Sequence, residues 1–306
     1  MMNGDMESVI FEEVIYYHLG LELVALFMSS TLKALLHEEV ELVGRRCLLQ
    51  VIIFSILKIV KPRFHVCDQE GCTALWYCAR LGHSALCRLL LRRGAGVDRG
   101  HRALGPPLVI AARRGRGEVC RLLLQHGAGV DMTGSDGFTS LMLAARAGNV
   151  ELTELLLGHG ADVDLGSPEW SPLMLAVHHN HKDVCRVLLS AGANVDFVDD
   201  TGRSCLLLAV EDGLYEISDM LLENGAGVDL RQPRDGATPL LRAAADGSPD
   251  LCSLLLRRGA DVNAQTHGGT FALLMAALQG HGEVASVLMW HGADVNQVEL
   301  STGRLS

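Results

Sequence analysis

The chain has 306 residues, of which 49% are hydrophobic, 20% are charged and 5% are aromatic. This composition is typical of a folded helical protein rich in Ala and Leu, and it excludes an intrinsically disordered chain. The formal net charge of -10 at neutral pH argues against bulk binding to nucleic acid, so no nucleic-acid partner is expected.

Residues 1–65 form the first predicted segment and read as two or three helices that end at Pro62. We expect a helical cap that shields the apolar flank of the next segment. The apolar run from Cys47 to Val60 has basic flanks within residues 45–63, so contact with a membrane surface or a partner is an alternative. Its 14 residues reach about 21 Å as a helix, short of the ~30 Å hydrocarbon core, so it does not span a bilayer.

The rest of the chain is periodic. Gly-Ala-x-Val followed by Asp or Asn recurs seven times, with its first glycines 33, 33, 32, 33, 34 and 33 residues apart. A leucine that opens an apolar run, which we call the marker leucine, lies 19 residues before that glycine every time. The predicted repeats are residues 66–98, 99–131, 132–164, 165–196, 197–229, 230–263 and 264–296.

Each repeat carries signals for two helices. Ser171-Pro172 and Thr238-Pro239 are each an N-cap followed by a residue suited to the first helical turn. Seven residues after the marker leucine stands Gly, or Asn180 in repeat four, and these residues adopt the left-handed conformation cheaply at a helix end. A second helix then runs to the Gly-Ala pair, so each repeat is predicted as helix, turn, helix and extended loop.

Repeat six adds a Thr-Pro-Leu-x-x-Ala-Ala core, at Thr238 to Ala244. With a period of about 33 residues, residues 66–296 resemble the ankyrin-repeat family. The resemblance implies an all-α solenoid that follows an N-terminal helical segment, with first helices lining a concave groove that binds partners. The family's usual His after the marker leucine is absent from every repeat, so we expect its hydrogen bond to be missing. Its place is taken by Trp76, Val109, Met142, Met174, Leu207, Leu241 and Leu274.

Four of the nine cysteines share one register position, seven residues before the Gly-Ala pair. A position that accepts Cys, Thr, Ser and Ala is predicted to be a small-residue packing site in the second helix. The residues there are Cys87, Cys120, Thr153, Cys185, Ser218, Cys252 and Ala285. This cysteine usage indicates a reduced, intracellular protein, in the cytoplasm or alternatively in the nucleus.

The sequence contains no recognisable catalytic or cofactor-binding motif. It contains no glycine-rich phosphate loop, no Cys-x-x-Cys pair and no nucleophile elbow. The densest cluster of possible metal ligands is His178, His179, His181 and Cys185, but Cys185 occupies the packing position and the first two histidines fall at surface positions. We therefore predict a non-enzymatic protein without a metal or another cofactor.

The two residues before the left-handed turn change charge along the chain. They are basic in repeats one to three and acidic in repeats five and six. In the proteins that this chain resembles, these positions face the groove and the loop tips lie beside it. The expected partner-binding residues are Arg80, Arg102, Arg113, Arg114, Arg146, Trp170, His178, His179, Glu211, Asp212 and Asp246. A protein partner would place an acidic or phosphorylated segment against the arginines and a basic segment against the acids.

The resemblance also marks two asparagines and leaves several functions open. Asn263 and Asn296 resemble sites at which ankyrin-repeat asparagines are hydroxylated. Residues 297–306 read as an incomplete repeat or tail, so we expect a truncated form or a second chain that covers that end. The leading function is an adaptor or scaffold; the alternatives are a substrate-recognition adaptor of a ubiquitin ligase, without a visible recruiting box, and a peripheral membrane scaffold that uses residues 45–63.

Overall fold

The computed structural model describes Cys67 and residues 70–296. The predicted N-terminal segment, with its possible membrane contact, and residues 297–306 lie outside the described residues. The chain forms two compact units, Met1–Ser140 and Leu141–Ser306. Fourteen α-helices make up the regular structure of the described residues, which confirms the all-α prediction.

The first unit contains two helix pairs among its described residues. These are α1 (Ala74–Leu81) with α2 (Ser84–Arg92), and α3 (Pro107–Arg113) with α4 (Gly117–Gln125). Helix α1 packs on α3 and α2 packs on α4, so first helices stack on first helices and second on second. This is the arrangement predicted from the repeat.

The second unit contains five helix pairs, the first of which begins at the boundary residue. They are α5 (Ser140–Arg146) with α6 (Val150–Gly158), α7 (Pro172–His178) with α8 (Lys182–Ser190), α9 (Cys205–Glu211) with α10 (Tyr215–Glu223), α11 (Pro239–Ala245) with α12 (Pro249–Arg257), and α13 (Ala272–Gln279) with α14 (Gly282–Trp290). From α7 onward each first helix packs on the next first helix, and from α6 onward each second helix does the same.

The predicted helix ends are confirmed. The hydroxyl of Ser171 accepts a hydrogen bond from the backbone N–H of Met174 at 3.1 Å, as an N-cap does. At the turn between the two helices Asn180 has a φ of 56°, whereas the other repeats have glycine with a positive φ there. Glycine and asparagine therefore stand at this turn because the backbone is left-handed.

At two of these turns, a histidine of the following repeat packs against the turn. The Nε2 atom of His181 donates to the carbonyl oxygen of Arg146 at 3.1 Å, and His281 bonds the carbonyl of Ala245 in the same way. A methyl group at Gly148 would lie 2.6 Å from the ring of His181. Glycine at this turn thus allows the left-handed backbone and leaves room for the histidine of the next repeat.

The Asp or Asn that ends the Gly-Ala-x-Val motif joins successive repeats. Asp98 accepts a hydrogen bond from the backbone N–H of Gly129, at 3.0 Å. The same bond recurs in the second unit, where a backbone N–H donates to the side-chain oxygen of the motif residue one repeat earlier. The pairs are Asn194 to Asp164 at 2.7 Å, Gly227 to Asp196 at 2.8 Å and Asp294 to Asn263 at 3.0 Å. The motif therefore contributes a ladder of side-chain acceptors between loops within each unit.

The predicted packing position is buried in six repeats. Cys87, Cys120, Cys185 and Cys252 are each 0% exposed, as are Thr153 and Ser218, whereas Ala285 is partly exposed. Burial raises the pKa of these four thiols to about 12. They are packing groups, because a thiol held protonated is a poor nucleophile and a poor metal ligand.

One residue at the family's histidine position makes a hydrogen bond of its own. Trp76 stands there in repeat one, and its indole Nε1 donates a 3.0 Å hydrogen bond to the carbonyl oxygen of Gly105. The histidine is absent, as the sequence shows, but repeat one has a different donor at this position.

None of the helices within the described residues could span a lipid bilayer.

Candidate interaction surface

The arginines of the first unit lie at helix ends and in a loop. Arg80 is in the last turn of α1, Arg113 ends α3, and Arg114 follows it as the exposed C-cap. Arg102 is exposed in the loop before α3. The first helices of this unit therefore place the predicted basic positions at their C-terminal ends.

Arg113 is already engaged in the free protein. Its Nη2 atom lies 2.6 Å from Oδ2 of Asp136; the Arg113 side chain is partly exposed and Asp136 is exposed. Desolvation acts to raise the pKa of Asp136, but the hydrogen bonds from Arg113 and from the backbone N–H of Phe138, with the positive charge of Arg113, outweigh that effect, and the pKa is lowered. Sequence reasoning missed this partner, because Asp136 lies in the loop of the next repeat. Arg114 and Arg102 are therefore better placed than Arg113 to receive an anionic group.

Four aromatic side chains of repeat four form a row of rings in the second unit. The ring of Trp170 lies 5.3 Å from that of His178, and His178 lies 5.0 Å from His179, centroid to centroid. His179 in turn lies 6.0 Å from His181. His178 and His179 are exposed, as predicted, and Trp170 is partly exposed. The structure thus brings together the three residues that the sequence placed on a loop and a helix end.

The acidic positions of the second unit are less uniform than expected. Glu211 is partly buried, and its Oε1 atom lies 3.4 Å from Nε of Arg242. Burial raises the pKa of Glu211, with a smaller opposing effect from Arg242. Asp212 and Asp246 are exposed, so the negative charge open to a partner rests on these two residues. Arg242 is a residue that the sequence reasoning did not place at this surface.

The asparagines proposed for hydroxylation lie in loops. Asn263 is exposed, and its side-chain oxygen is the acceptor for the backbone N–H of Asp294 in the ladder described above. Asn296 is exposed at the end of the described residues. Both are reachable from solvent.

Possible metal ligands are not grouped around a common point in the described part of the chain. No group of three or more His, Cys, Asp or Glu side chains there is arranged to hold a metal ion. A cleft of about 450 Å³ lies over α8 and α10, with Lys182, Tyr215 and Glu216 among its lining residues. Its floor is an ion-pair surface, since Lys182 pairs with Glu216 at 2.5 Å.

Comparison with known proteins gives matches over short stretches. The B-cell lymphoma 3 protein homolog of Mus musculus is 39% identical over 71 residues, which are 23% of this chain and 16% of that protein. The ankyrin repeat and KH domain-containing protein mask of Drosophila melanogaster is 38% identical over 74 residues, which are 24% of this chain and 2% of that protein. The chain thus spans a small part of these relatives.

Two solved structures match over most of the chain. The ankyrin repeat domain of human ASB11 superimposes with a TM-score of 0.62 and 26% identity, covering 72% of this chain and 99% of that domain. The ankyrin repeat domain of Bcl-3, a member of the IkappaB protein family, gives a TM-score of 0.65 and 26% identity, covering 72% of this chain and all of that domain.

A family model agrees with both comparisons. The model described as ankyrin repeats (3 copies) matches residues 24–133, 100–167, 141–233 and 206–299, which together make up most of the chain. Its first match begins upstream of residue 66, so the boundary at that residue stays a prediction. The fold is in general a non-catalytic one that binds other proteins. The chain belongs to the ankyrin-repeat family of protein-interaction modules.

Proposed function

We propose that this chain is a non-enzymatic adaptor or scaffold that captures a protein partner through the ends of its first helices and the adjoining loops. In the first unit the partner would present an acidic or phosphorylated segment. In the second unit Trp170 would anchor an apolar group, and Asp212 and Asp246 would receive a basic segment.

The observation that carries this proposal is the charge of residues 70–140, the continuous described stretch of the first unit. Residues 70–140 contain ten arginines, no lysine and five acids, in a chain whose net charge is -10. Arginine binds carboxylate and phosphate through two parallel hydrogen bonds, whereas lysine acts as a point charge. A basic surface built from arginine alone therefore favours recognition of such groups over general attraction of anions.

Exposure selects the residues that would make the first contact. Arg102 and Arg114 are exposed, and no acidic partner of either is present within the described residues. Arg113 is held by Asp136. The partner's acidic group would therefore meet Arg102 and Arg114, with Arg113 adding charge at the edge of the surface.

Affinity capture followed by mass spectrometry tests the proposal. The wild-type chain is compared in cells with the double variant Arg102→Glu, Arg114→Glu. The matched control is Arg92→Glu, an exposed arginine at the end of the second helix α2. We expect a set of partners to be lost in the double variant and retained in the control.

The charge swap Arg113→Glu with Asp136→Arg refines the test. It keeps an ion pair at this position while reversing its direction, so a partner that depends on the exposed arginines should still bind. Far-UV circular dichroism shows whether all variants fold equally. A partner set unchanged in the Arg102→Glu, Arg114→Glu variant contradicts the proposal.

A further inference from the structure

The row of rings in repeat four is held in place at the Trp170 end by a tight backbone turn. The backbone N–H of Ser167 donates to the carbonyl oxygen of Trp170 at 2.9 Å, and that of Trp170 donates back to Ser167 at 3.2 Å. A methyl group at Gly166 would lie 2.2 Å from the same carbonyl oxygen. This tight turn holds the backbone of Trp170 in place, and its ring lies against His178.

His181 is the fixed end of the row. Its Nε2 atom donates to the carbonyl oxygen of Arg146, so this imidazole is part of the stacking between repeats. His178 and His179 are exposed beside it, on a strip whose other end is the partly exposed Trp170. An aromatic ring and two accessible imidazoles are therefore presented together by one loop and one helix end.

The charges around this strip leave it positive on one side. Partial desolvation is the main cause that lowers the pKa of His179, and the charges of His178, of His181 and of Arg146 at the end of α5 lower it further. From α8, Lys182 pairs with Glu216 and Asp183 pairs with Arg186.

Acidic residues also lie on the elements next to this strip. Glu211, at the end of α9, pairs with Arg242. Glu169, in the loop, and Asp212, after α9, are exposed.

We propose that Trp170, His178 and His179 form a docking point for a carboxylate-rich segment of a partner protein, and that capture there strengthens as the solution becomes acidic. This inference rests on the proposed function, to which it adds the partner's chemistry and its regulation by protons. The carboxylate would sit against the imidazoles, and an apolar neighbour in the segment would pack on Trp170.

The direction of the pH dependence follows from linkage. A bound carboxylate favours the protonated imidazole, so the pKa of His179 is higher in the complex than in the free chain. Affinity therefore rises as the pH falls through the pKa of the complex, and it levels off below the pKa of the free chain. A carboxylate stays ionised throughout this range, because its own pKa is near 4.

The test uses the full chain and a fluorescent peptide of about twelve residues in which Glu alternates with Pro, a sequence that favours an extended conformation. Fluorescence anisotropy gives its Kd near pH 7.5 and near pH 5.5, on either side of the ordinary histidine pKa. We expect binding about tenfold tighter at the lower pH, a change of about 1.4 kcal/mol. The same peptide with Gln in place of Glu should not bind.

Variants assign the effect to the two imidazoles. The double variant His178→Gln, His179→Gln should bind the Glu peptide weakly and equally at both pH values. The matched control His267→Gln removes an exposed histidine elsewhere in the second unit and should keep the full pH dependence. NMR titration should also show that the peptide raises the pKa of His179.

Three results would overturn the inference. They are equal Kd values at both pH values, a pH dependence that survives in the double histidine variant, and binding of a phosphoserine peptide but not of the Glu peptide. None of them decides the proposed function. Loss of cellular partners in the Arg102→Glu, Arg114→Glu variant depends on the first unit and is measured without a peptide.

Discussion

The indole nitrogen of Trp76 donates a 3.0 Å hydrogen bond to the backbone carbonyl of Gly105. Trp76 is 1% exposed, and it belongs to repeat one whereas Gly105 belongs to repeat two. The backbone passes closely enough that a methyl group at Gly100 would lie 2.4 Å from that carbonyl oxygen and 2.9 Å from the indole. The absence of the family histidine is thus accompanied by a tryptophan donor and by a glycine that makes room for it.

The substitution Trp76→Phe tests this bond. It keeps an aromatic ring but leaves the buried carbonyl of Gly105 without its indole donor, so we expect a loss of about 1–3 kcal/mol in the free energy of unfolding. Urea unfolding followed by circular dichroism gives the value. Trp290→Phe is the control, because Trp290 is 83% exposed and its replacement should change little. Equal effects of the two substitutions would show that the bond adds no stability.

The two roles of the turn glycines are separated by a pair of alanine substitutions. Gly115 and Gly148 have φ values of 66° and 68°, but a methyl group meets nothing within 4 Å at Gly115 and the ring of His181 at Gly148. Gly115→Ala should cost about 1–2 kcal/mol from the left-handed backbone alone. Gly148→Ala should cost about 1–3 kcal/mol more because the ring must move. Similar unfolding midpoints for the two variants would contradict the close contact.

The buried thiols predict a pattern of alkylation. Cys67 is exposed, whereas Cys87, Cys120 and Cys185 are buried with a pKa raised to about 12. Because alkylation requires an accessible thiolate, iodoacetamide near pH 8 should modify Cys67 and leave these three until urea unfolds the chain. Peptide mass spectrometry before and after unfolding gives the answer. Modification of Cys120 in the folded chain would be inconsistent with its packing.

Asn263 is predicted to accept one oxygen from an asparaginyl hydroxylase. The residue is exposed, and its side-chain oxygen already bonds the backbone N–H of Asp294 at 3.0 Å. Intact-mass measurement after exposure to the enzyme should show the added oxygen, and Asn263→Ala should remove the part that belongs to this site. An unchanged mass of the wild-type chain would exclude the modification.

The features that the sequence predicted are the local ones. A cap such as Ser171, a left-handed residue such as Asn180 and a small buried residue such as Cys185 each satisfy a constraint set by their own repeat. Such constraints recur at the same position of each repeat, so the sequence shows the same residue preference in seven copies. For this reason the helix order and the core could be predicted without a structure.

The charged surface could be predicted less well, because ion pairs depend on contacts between repeats. Arg113 meets Asp136 in the next loop, and Glu211 meets Arg242 on the next first helix. Neither pair recurs at a fixed register, so the sequence displays the charges without showing which of them are already neutralised. The ladder through Asp98 and its equivalents is different, since the sevenfold Asp or Asn was a signal that sequence reasoning left unused.

The carboxylate of Asp199 accepts several hydrogen bonds from residues 201–203 of the same loop. Its Oδ1 atom accepts from the hydroxyl of Thr201 at 2.7 Å and from the backbone N–H of Arg203 at 2.8 Å, and its Oδ2 atom accepts from Nε of Arg203 at 3.0 Å. The carboxylate side chain is 4% exposed. Burial acts to raise the pKa of Asp199, but these hydrogen bonds outweigh it and the pKa is lowered.

A lowered pKa makes this contribution depend on pH in one direction. The stability that the carboxylate adds is fully present above the ordinary Asp pKa of about 3.9, and it is lost as the pH falls through the lower pKa of the folded state. Asp199→Asn should therefore cost about 2–4 kcal/mol near pH 7, and the difference from wild type should shrink below about pH 4. Urea unfolding at a series of pH values measures it, with the exposed Asp200→Asn as the control. A difference that stays constant down to about pH 2 would mean that the carboxylate charge is not what stabilises the loop.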